Sequence, residues 1–392
     1  MIFRTLSNKL KYFAELYPVV SVTGPRQSGK TTLVKETFAS YKYFNLEDVD
    51  IRNFAITDPK GFLGNAGDGM IIDEIQRVPE LFSYIQNIVD KTNKTGQFII
   101  TGSQNFLLME SITQTLAGRI AILKLLPFSN FELKKANLIS DNFKTQIFKG
   151  AYPRLYDKNI PPKDFYPFYI QTYIERDVKQ IRNISNQNTF VRFIKMCAGR
   201  VGQLLNITDL ANNCGITQIT AKSWLSVLEA SYIIYFLQPH YKNFNKRLVK
   251  MPKMYFYDTG LVCSLLGIKD ETQVQPHYLY GALFENFIIN EFQKFYSNNV
   301  IEPKLYFWRD KNGKEIDLII ETNGKLLPVE IKAGETFVDD YFKNLKYWNK
   351  LSNNSEDNSF IVYGGTSNLK TSNGKLFSWL NISGITDKIN VL

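Results

Sequence analysis

Short apolar runs and amphipathic segments alternate along the first third of the chain. Most of the runs are rich in β-branched residues, and they cover 19–22, 43–46, 70–73, 97–101 and 120–125. Such runs are typical of strands that are buried on both faces of a parallel sheet. Residues 6–16 and 81–89 instead place apolar side chains at helical spacing. This order of elements predicts an α/β fold with a parallel sheet.

The residues after the first predicted strand fit the pattern G-x-x-x-x-G-K-[ST] of a phosphate-binding loop, or P-loop. They are Gly24, Pro25, Arg26, Gln27, Ser28, Gly29, Lys30, Thr31 and Thr32, and we expect them to bind ATP. The two glycines let backbone N–H groups turn toward phosphate oxygens, and the following helix adds the positive end of its dipole. Lys30 supplies a charge for the β- and γ-phosphates, and the Thr31 hydroxyl is expected to ligate Mg²⁺.

Acidic and polar side chains follow the later strands. Asp73, at the end of the strand at 70–73, is expected to hold Mg²⁺, and Glu74 is expected to polarise the attacking water. Ser103 follows the strand at 97–101 and is a candidate contact for the γ-phosphate or the attacking water; a simple turn is the alternative. Arg119 is either an arginine finger or a structural ion-pair partner.

Together with later signatures, these motifs resemble a prokaryotic AAA-type ATPase family whose members carry a C-terminal domain of unknown function. The matching stretches are GPRQSGKTTL at 24–33, IIDEIQ at 71–76, ITGS at 100–103, LAGR at 116–119, GAYP at 150–153, YIERD at 173–177 and YDTGL at 257–261. The resemblance covers essentially the whole chain. It implies a P-loop AAA-type sheet at the N-terminus.

The middle of the chain has two parts with different patterns. Residues 127–184 are aromatic, helical in pattern and broken by prolines, which indicates a helical lid or linker. Arg154 and Arg176 lie there, and each either reaches the nucleotide or pairs with a surface carboxylate. Residues 206–230 predict a helix-turn-helix, with Ile219, Trp224, Leu225 and Leu228 facing inward.

Basic residues concentrate around this helix-turn-helix. The chain carries a net charge of +10, and residues 195–255 hold eight basic side chains against two acidic ones. The basic residues are Lys195, Arg200, Lys222, Lys242, Lys246, Arg247, Lys250 and Lys253. Two predicted strands, at 233–237 and 254–257, flank the basic loop and have the layout of a wing. The charge favours contact with DNA phosphates, and a protein–protein hinge is the alternative.

Charged residues at strand spacing mark the C-terminal third. A predicted helix at 279–296 carries Glu285, and predicted strands at 315–321 and 327–332 carry Asp317, Glu330 and Lys332. Glu330 and Lys332 are two residues apart, so they share one face of their strand. Three carboxylates and a lysine in an apolar frame favour a bound metal, whereas an edge strand with solvated charges is the plainer alternative.

This constellation resembles the PD-(D/E)XK nuclease core. The resemblance implies that Asp317 and Glu330 ligate Mg²⁺, that Lys332 orients the attacking water, and that Glu285 supports the metal. The chain departs from the family pattern in having Ile316, and not proline, before Asp317.

Composition limits the remaining classes of function. Cys197, Cys214 and Cys263 are scattered, which argues against a disulfide framework or a zinc site. Only two histidines are present, which argues against catalysis that depends on a histidine base. No secretory signal or membrane-spanning run is apparent, so we expect a cytoplasmic protein without a membrane partner.

The predicted layout has four parts. These are an ATPase core at 1–135, a helical lid or linker at 136–190, a winged helix-turn-helix at 191–265 and a restriction-endonuclease-like α/β domain at 266–392. We expect an ATP-hydrolysing enzyme coupled to a DNA-directed, Mg²⁺-dependent nuclease-like domain. For its assembly, a homo-oligomer and a monomer are the two alternatives. The alternatives are a nucleotide-dependent switch or scaffold that binds DNA or protein without cutting, and an ATP-regulated transcription factor.

Overall fold

The structure is a computed structural model that describes residues 2–103, 115–174, 187–240, 248–371 and 373–389. Two sheets organise these residues. The part of the 173–177 signature that includes Arg176 lies outside the described residues, as does most of the predicted basic loop, with Lys242, Lys246 and Arg247.

The first sheet is fully parallel, with the strand order β2-β3-β4-β1-β5. Its strands are β1 (Val19–Thr23), β2 (Lys42–Asn45), β3 (Met70–Asp73), β4 (Phe98–Gly102) and β5 (Ile120–Lys124). Alternate residues supply two apolar cores, so that Val19 and Ile72 face one side while Val20 and Ile71 face the other. This confirms the predicted α/β fold with a parallel sheet.

Helices cover both faces of this sheet. They are α1 (Leu6–Leu16), α2 (Lys30–Thr37), α3 (Val49–Thr57), α4 (Pro59–Gly64) and α5 (Leu81–Thr92). Helix α1 buries Leu6, Leu10 and Ala14, which is the apolar face expected from its helical spacing. Asp48 caps α3 by accepting hydrogen bonds from two backbone N–H groups.

A helical segment rich in aromatic residues follows. It contains α6 (Asn130–Lys135), α7 (Phe143–Lys149), α8 (Pro153–Asp157) and α9 (Pro162–Tyr169), and a π-helical turn at Ile170–Ile174. Tyr152, Phe165 and Tyr169 pack their rings together inside it. Pro153 and Pro162 start helices, where the missing N–H costs nothing.

The predicted helix-turn-helix region contains α10 (Gln187–Ala198), α11 (Ile207–Cys214) and α12 (Gln218–Ala230). Gly215 closes α11 in the left-handed conformation, as its turn position requires. Trp224, Leu225 and Leu228 are buried as predicted, whereas the prediction for Ile219 was wrong, because 82% of it is exposed. Ile219 lies in the first turn of α12, before the helix reaches the core.

The strands predicted as a wing are β6 (Ile234–Pro239) and β7 (Lys253–Phe256), and they pair antiparallel. Strand β6 also pairs with β8 (Leu305–Arg309), so both strands join the C-terminal sheet. The two strands therefore do not stand apart as a separate wing. The predicted boundary between residues 265 and 266 divides one continuous sheet.

This second sheet is mixed and has the order β12-β13-β11-β10-β9-β8-β6-β7. Its remaining strands are β9 (Glu315–Thr322), β10 (Lys325–Lys332), β11 (Phe360–Tyr363), β12 (Leu369–Thr371) and β13 (Gly374–Ser378). The helices around it are α13 (Thr259–Leu265), α14 (Tyr280–Asn299), α15 (Lys343–Ser352) and α16 (Ser383–Thr386). Within the described ranges, no helix has the length and apolar character needed to cross a bilayer.

Candidate functional site

The P-loop connects β1 to α2 at the carboxyl edge of the first sheet. Gly24 has a φ of 142° and Gly29 a φ of 92°, values that disfavour other residues. A Cβ at Gly24 would collide with the carbonyl oxygen of Leu125. The loop backbone therefore requires both glycines that the sequence motif supplies.

Lys30 is folded back into this loop. Its Nζ donates hydrogen bonds to the carbonyl oxygens of Gly24 (3.0 Å) and Pro25 (2.9 Å). Burial lowers the pKa of Lys30, while the nearby carboxylates of Glu74 and Asp73 oppose that shift. A phosphate would give the ammonium a stronger, charged acceptor than these two carbonyl groups.

Asp73 connects the P-loop to the neighbouring strands. Its Oδ2 accepts hydrogen bonds from the Thr31 hydroxyl (2.7 Å) and from the Tyr43 hydroxyl (2.8 Å). The Thr101 hydroxyl donates to the other oxygen, Oδ1. The structure thus brings together Thr31 and Asp73, the two side chains predicted to hold Mg²⁺. A hydroxyl and a carboxylate oxygen are donors of the kind that Mg²⁺ prefers, so these residues fit the ion.

Glu74 lies next to this pair in the left-handed conformation, with a φ of 56°. Ser103 donates a hydrogen bond to its Oε2 (3.0 Å), and Gln76 donates to the same oxygen. Ser103 therefore does reach the predicted catalytic carboxylate. Its predicted contact with the γ-phosphate or water stays a prediction.

Arg119 lies at the amino end of the strands, opposite the carboxyl edge where the P-loop lies. It precedes β5, whose first residue Ile120 pairs with Val19, whereas the P-loop follows the last residue of β1. Arg119 forms an ion pair with Asp90 on α5, which lowers the pKa of Asp90. This matches the ion-pair alternative and places Arg119 away from the P-loop of its own chain. A role as an arginine finger would require a second copy of the chain.

A second group of carboxylates lies in the C-terminal sheet. Among the described residues, Glu285 on α14 and Glu315 and Asp317 on β9 each bring one oxygen within 4.8 Å of the others. We call these three residues the acidic cluster. Sequence reasoning identified two of its members and missed Glu315, although Glu315 lies two residues before Asp317 and so shares its face of the strand.

Two neighbours from β7 hold Glu285. The Lys253 Nζ lies 2.9 Å from Glu285 Oε1 and also pairs with Glu315. The Tyr255 hydroxyl donates to the same Glu285 oxygen. Lys253 is only 3% exposed, so its predicted role in a basic DNA-binding surface was wrong. Its carboxylate partners raise its pKa against the opposing effect of burial.

Glu330 and Lys332 lie beside the acidic cluster on β10. They form an ion pair, as their predicted common face allows, and Lys332 Nζ also lies 3.4 Å from Asp317 Oδ2. The backbone N–H of Ile331 donates to that Asp317 oxygen (2.8 Å). Burial, together with the Asp317 charge, raises the pKa of Glu330 to about 8.

Cations already surround the acidic cluster, whose three carboxylates are those of Glu285, Glu315 and Asp317. Three cations lie against these carboxylates: Lys253, Lys332 and Arg309. The carboxylate oxygens fit Mg²⁺ in kind, and Lys253 is the cation with which a metal would compete.

The remaining predicted DNA contacts differ in exposure. Lys195, Lys222 and Lys250 are exposed, as is Arg154. Arg200 forms an ion pair with Asp209 at the start of α11.

Three family models match successive parts of the chain. An AAA domain matches residues 16–134, a domain of unknown function (DUF8612) matches residues 140–272, and a second domain of unknown function (DUF4143) matches residues 280–382. The change between the last two models falls between residues 272 and 280, directly before α14, so both models contain strands of the second sheet.

Related proteins and structures extend this comparison. The uncharacterized protein Rv2008c of Mycobacterium tuberculosis is 31% identical over 338 residues, covering 85% of this chain and 74% of that protein. An uncharacterized Haemophilus influenzae protein is 23% identical over 341 residues, covering 79% and 81% of the two chains. The Walker-type ATPase PABY2304 of Pyrococcus abyssi matches with a TM-score of 0.47 and 14% identity, over 68% of this chain and 96% of that chain. AMPPCP-bound DnaA of Aquifex aeolicus gives a TM-score of 0.31 and 15% identity, over 57% and 85%. The chain belongs, with its mycobacterial relative, to the family of AAA-type ATPases in which the AAA domain is followed by C-terminal domains of unknown function.

Proposed function

We propose that the chain binds ATP with Mg²⁺ at the P-loop and hydrolyses it. The observation that carries this proposal is the 2.7 Å contact between the Thr31 hydroxyl and the Asp73 carboxylate. It joins the start of the P-loop helix to the end of β3, which is where a P-loop enzyme needs its two Mg²⁺ partners. The match of residues 16–134 to an AAA domain supports this assignment.

Each residue of the site then has a role. Lys30 exchanges the carbonyl oxygens of Gly24 and Pro25 for the β- and γ-phosphates. Thr31 and Asp73 would hold Mg²⁺, which neutralises charge on the phosphates when it is bound. Glu74 orients and polarises the attacking water, and Ser103 fixes the position of the Glu74 carboxylate.

Two substitutions test this proposal separately. Lys30→Ala removes the phosphate contact, so we expect loss of ATP binding in a fluorescence titration. Glu74→Gln keeps the shape of the side chain but removes the base, so we expect ATP binding to remain while the hydrolysis rate falls at least about a hundredfold. Normal ATP affinity in Lys30→Ala, or normal hydrolysis in Glu74→Gln, would contradict the proposed site. Lys144→Met, which removes an ion pair with Glu335 in the C-terminal third of the chain, serves as the control.

We further propose that the acidic cluster gives the C-terminal sheet a Mg²⁺-dependent, DNA-directed nuclease activity. The supporting observation is the convergence of three carboxylate oxygens within 4.8 Å, with the Lys332 ammonium beside Asp317. In this assignment Glu285, Asp317 and Glu330 bind or support the metal, and Lys332 orients the attacking water. The exposed Lys195, Lys222 and Lys250 supply contacts to DNA phosphates.

The competing function is a nucleotide-dependent switch or scaffold that binds DNA or protein without cutting. It is favoured by Lys253, whose ammonium already pairs with two members of the acidic cluster. Incubation of the full chain with single-stranded, duplex and forked DNA, with Mg²⁺ and with or without ATP, separates the two. Cleavage that is abolished by Asp317→Asn supports the nuclease. If every DNA form remains uncut after incubation with the wild type, the result supports the non-cleaving function.

A further inference from the structure

Arg4, which lies outside every sequence motif, contacts a backbone carbonyl group of the P-loop. Its Nη1 donates to the carbonyl oxygen of Ser28 (2.8 Å), and its Nη2 donates to the carbonyl oxygen of Leu126. Its Nε lies 3.2 Å from Glu132 Oε1. The residue is only 6% exposed, so three acceptors share one buried guanidinium.

The partner carboxylate is itself held firmly. Glu132 accepts hydrogen bonds from the backbone N–H groups of Thr5 (2.7 Å) and Ser129 (2.9 Å). The second of these contacts is half of the capping box that starts α6. A buried ion pair is worth its desolvation cost only when its geometry is well satisfied, and here both charges have several partners. The guanidinium therefore presents a fixed donor to the P-loop.

The contact at Ser28 fixes the direction of one peptide group. A peptide unit is planar and trans, so its C=O and N–H point in opposite directions. A donor that holds the Ser28 carbonyl on the outside of the loop thus directs the Gly29 N–H toward the inside. Gly29 has a φ of 92°, and a glycine at such a position has no side chain to prevent its peptide from turning over.

We infer that Arg4 is a positioning residue for nucleotide binding, which acts by holding the Ser28–Gly29 peptide with its N–H toward the phosphates. This inference rests on the proposed ATP site. Arg4 does not touch the phosphates, because its three donor groups are directed to Ser28, Leu126 and Glu132. Lysine is a poor substitute, since a single ammonium does not reproduce the planar fork of a guanidinium.

The test compares Arg4→Met and Arg4→Lys with the wild type in steady-state ATP hydrolysis and in equilibrium nucleotide titration. Loss of a hydrogen bond to a charged donor is expected to raise KM and Kd for ATP about tenfold in Arg4→Met. The kcat at saturating ATP is expected to change by less than about twofold, because the contact acts equally on bound substrate and transition state. Arg4→Lys is expected to recover less than half of the lost affinity.

The controls separate positioning from charge and from stability. Arg192→Met removes another contact from an arginine to a backbone carbonyl, that of Asn213, and is expected to leave KM unchanged. If Arg4→Met lowers the Tm but leaves KM unchanged, Arg4 is only a structural residue and the inference fails. It also fails if Arg4→Lys restores the full affinity, because charge alone then explains the effect.

A third variant covers the case in which Arg4→Met does not fold. Glu132→Gln keeps the shape of the acceptor but weakens its hold on Arg4, and it is expected to raise KM for ATP about threefold by loosening the guanidinium. An unchanged KM in this folded variant would contradict the inference. A wild type that binds no ATP would instead overturn the proposed function, so the two failures are distinguishable.

Discussion

The Tyr232 hydroxyl lies 3.0 Å from Thr23 Oγ1, at the last residue of β1 before the P-loop. Tyr232 directly follows α12 and has a φ of 57°, and the Lys124 Nζ lies 5.4 Å from the centre of its ring. This contact joins the region of the predicted helix-turn-helix to the strand that carries the nucleotide-binding loop. The end of α12 therefore lies close to the strand that leads into the P-loop.

A row of tyrosine rings continues from this contact toward the acidic cluster. Ring centres are 6.0 Å apart between Tyr232 and Tyr257, 4.8 Å between Tyr257 and Tyr235, and 5.7 Å between Tyr235 and Tyr255. Tyr255 then donates its hydroxyl hydrogen to Glu285. A continuous row of packed side chains thus runs between the two candidate sites.

The first prediction concerns the contact between Tyr232 and Thr23. Tyr232→Phe and Thr23→Val each remove one partner while keeping the packed shape. A double-mutant cycle measured by urea unfolding is expected to give a coupling energy of about 1 kcal/mol, the usual net value of a buried hydrogen bond. A coupling energy near zero would show that the two hydroxyl groups act independently. Tyr12→Phe, at an exposed ring, is the matched control and should leave stability unchanged.

The second prediction concerns the side chains that hold Asp73. Tyr43→Phe and Thr101→Val each remove a hydroxyl that donates to this carboxylate. Groups that orient a metal ligand usually contribute about 10–100-fold to metal affinity. We therefore expect the Mg²⁺ concentration for half-maximal ATP hydrolysis to rise about tenfold in each variant. An unchanged Mg²⁺ dependence would show that Asp73 is held well enough without them.

The residues of the candidate nucleotide site could be identified in the sequence because a P-loop is local. Gly24, Lys30 and Thr31 lie within one turn and helix start, and an apolar run marks the strand that ends in Asp73. Tyr43 and Thr101 were missed because they approach Asp73 from different strands, β2 and β4. That approach depends on the strand order of the sheet, which no spacing in the sequence encodes.

For the C-terminal candidate site, sequence patterns identified Glu285, Asp317, Glu330 and Lys332, but they missed Glu315 and the burial of Lys253. Asp317, Glu330 and Lys332 lie on β9 and β10, where strand periodicity fixes which side chains share a face. Lys253 comes from β7, at the far end of the sheet, and was therefore counted with the surface lysines of the basic region. Only tertiary structure shows that it is buried against two carboxylates.

The third prediction concerns the pH dependence of stability at Glu330. Burial and the Asp317 charge raise its pKa from the ordinary 4.5 to about 8 in the folded chain. Between these values the folded state binds more protons than the unfolded state, so the stability present below pH 4.5 is lost as the pH rises to about 8. The slope is at most about 1.4 kcal/mol per pH unit.

Glu330→Gln removes this titration. We expect the variant to gain stability relative to the wild type as the pH rises from 5 to 8, as measured by urea unfolding at each pH. Glu302→Gln, at an exposed position before β8, is the control and should follow the wild type. Parallel curves for Glu330→Gln and the wild type would show that Glu330 titrates normally in the folded chain.

The fourth prediction concerns Lys253 as the cation that competes with a metal. Lys253→Met removes the ammonium but keeps an apolar stem of similar length, which leaves Glu285 and Glu315 without their buried cation. Breaking such a pair usually costs about 3–5 kcal/mol, so we expect a lower Tm in metal-free buffer. If the acidic cluster accepts Mg²⁺ in place of the lysine, millimolar Mg²⁺ should raise the Tm of the variant by several degrees more than that of the wild type. Equal shifts in both proteins would show that these carboxylates are built to hold Lys253 and not a metal, and would favour the non-cleaving switch over the nuclease.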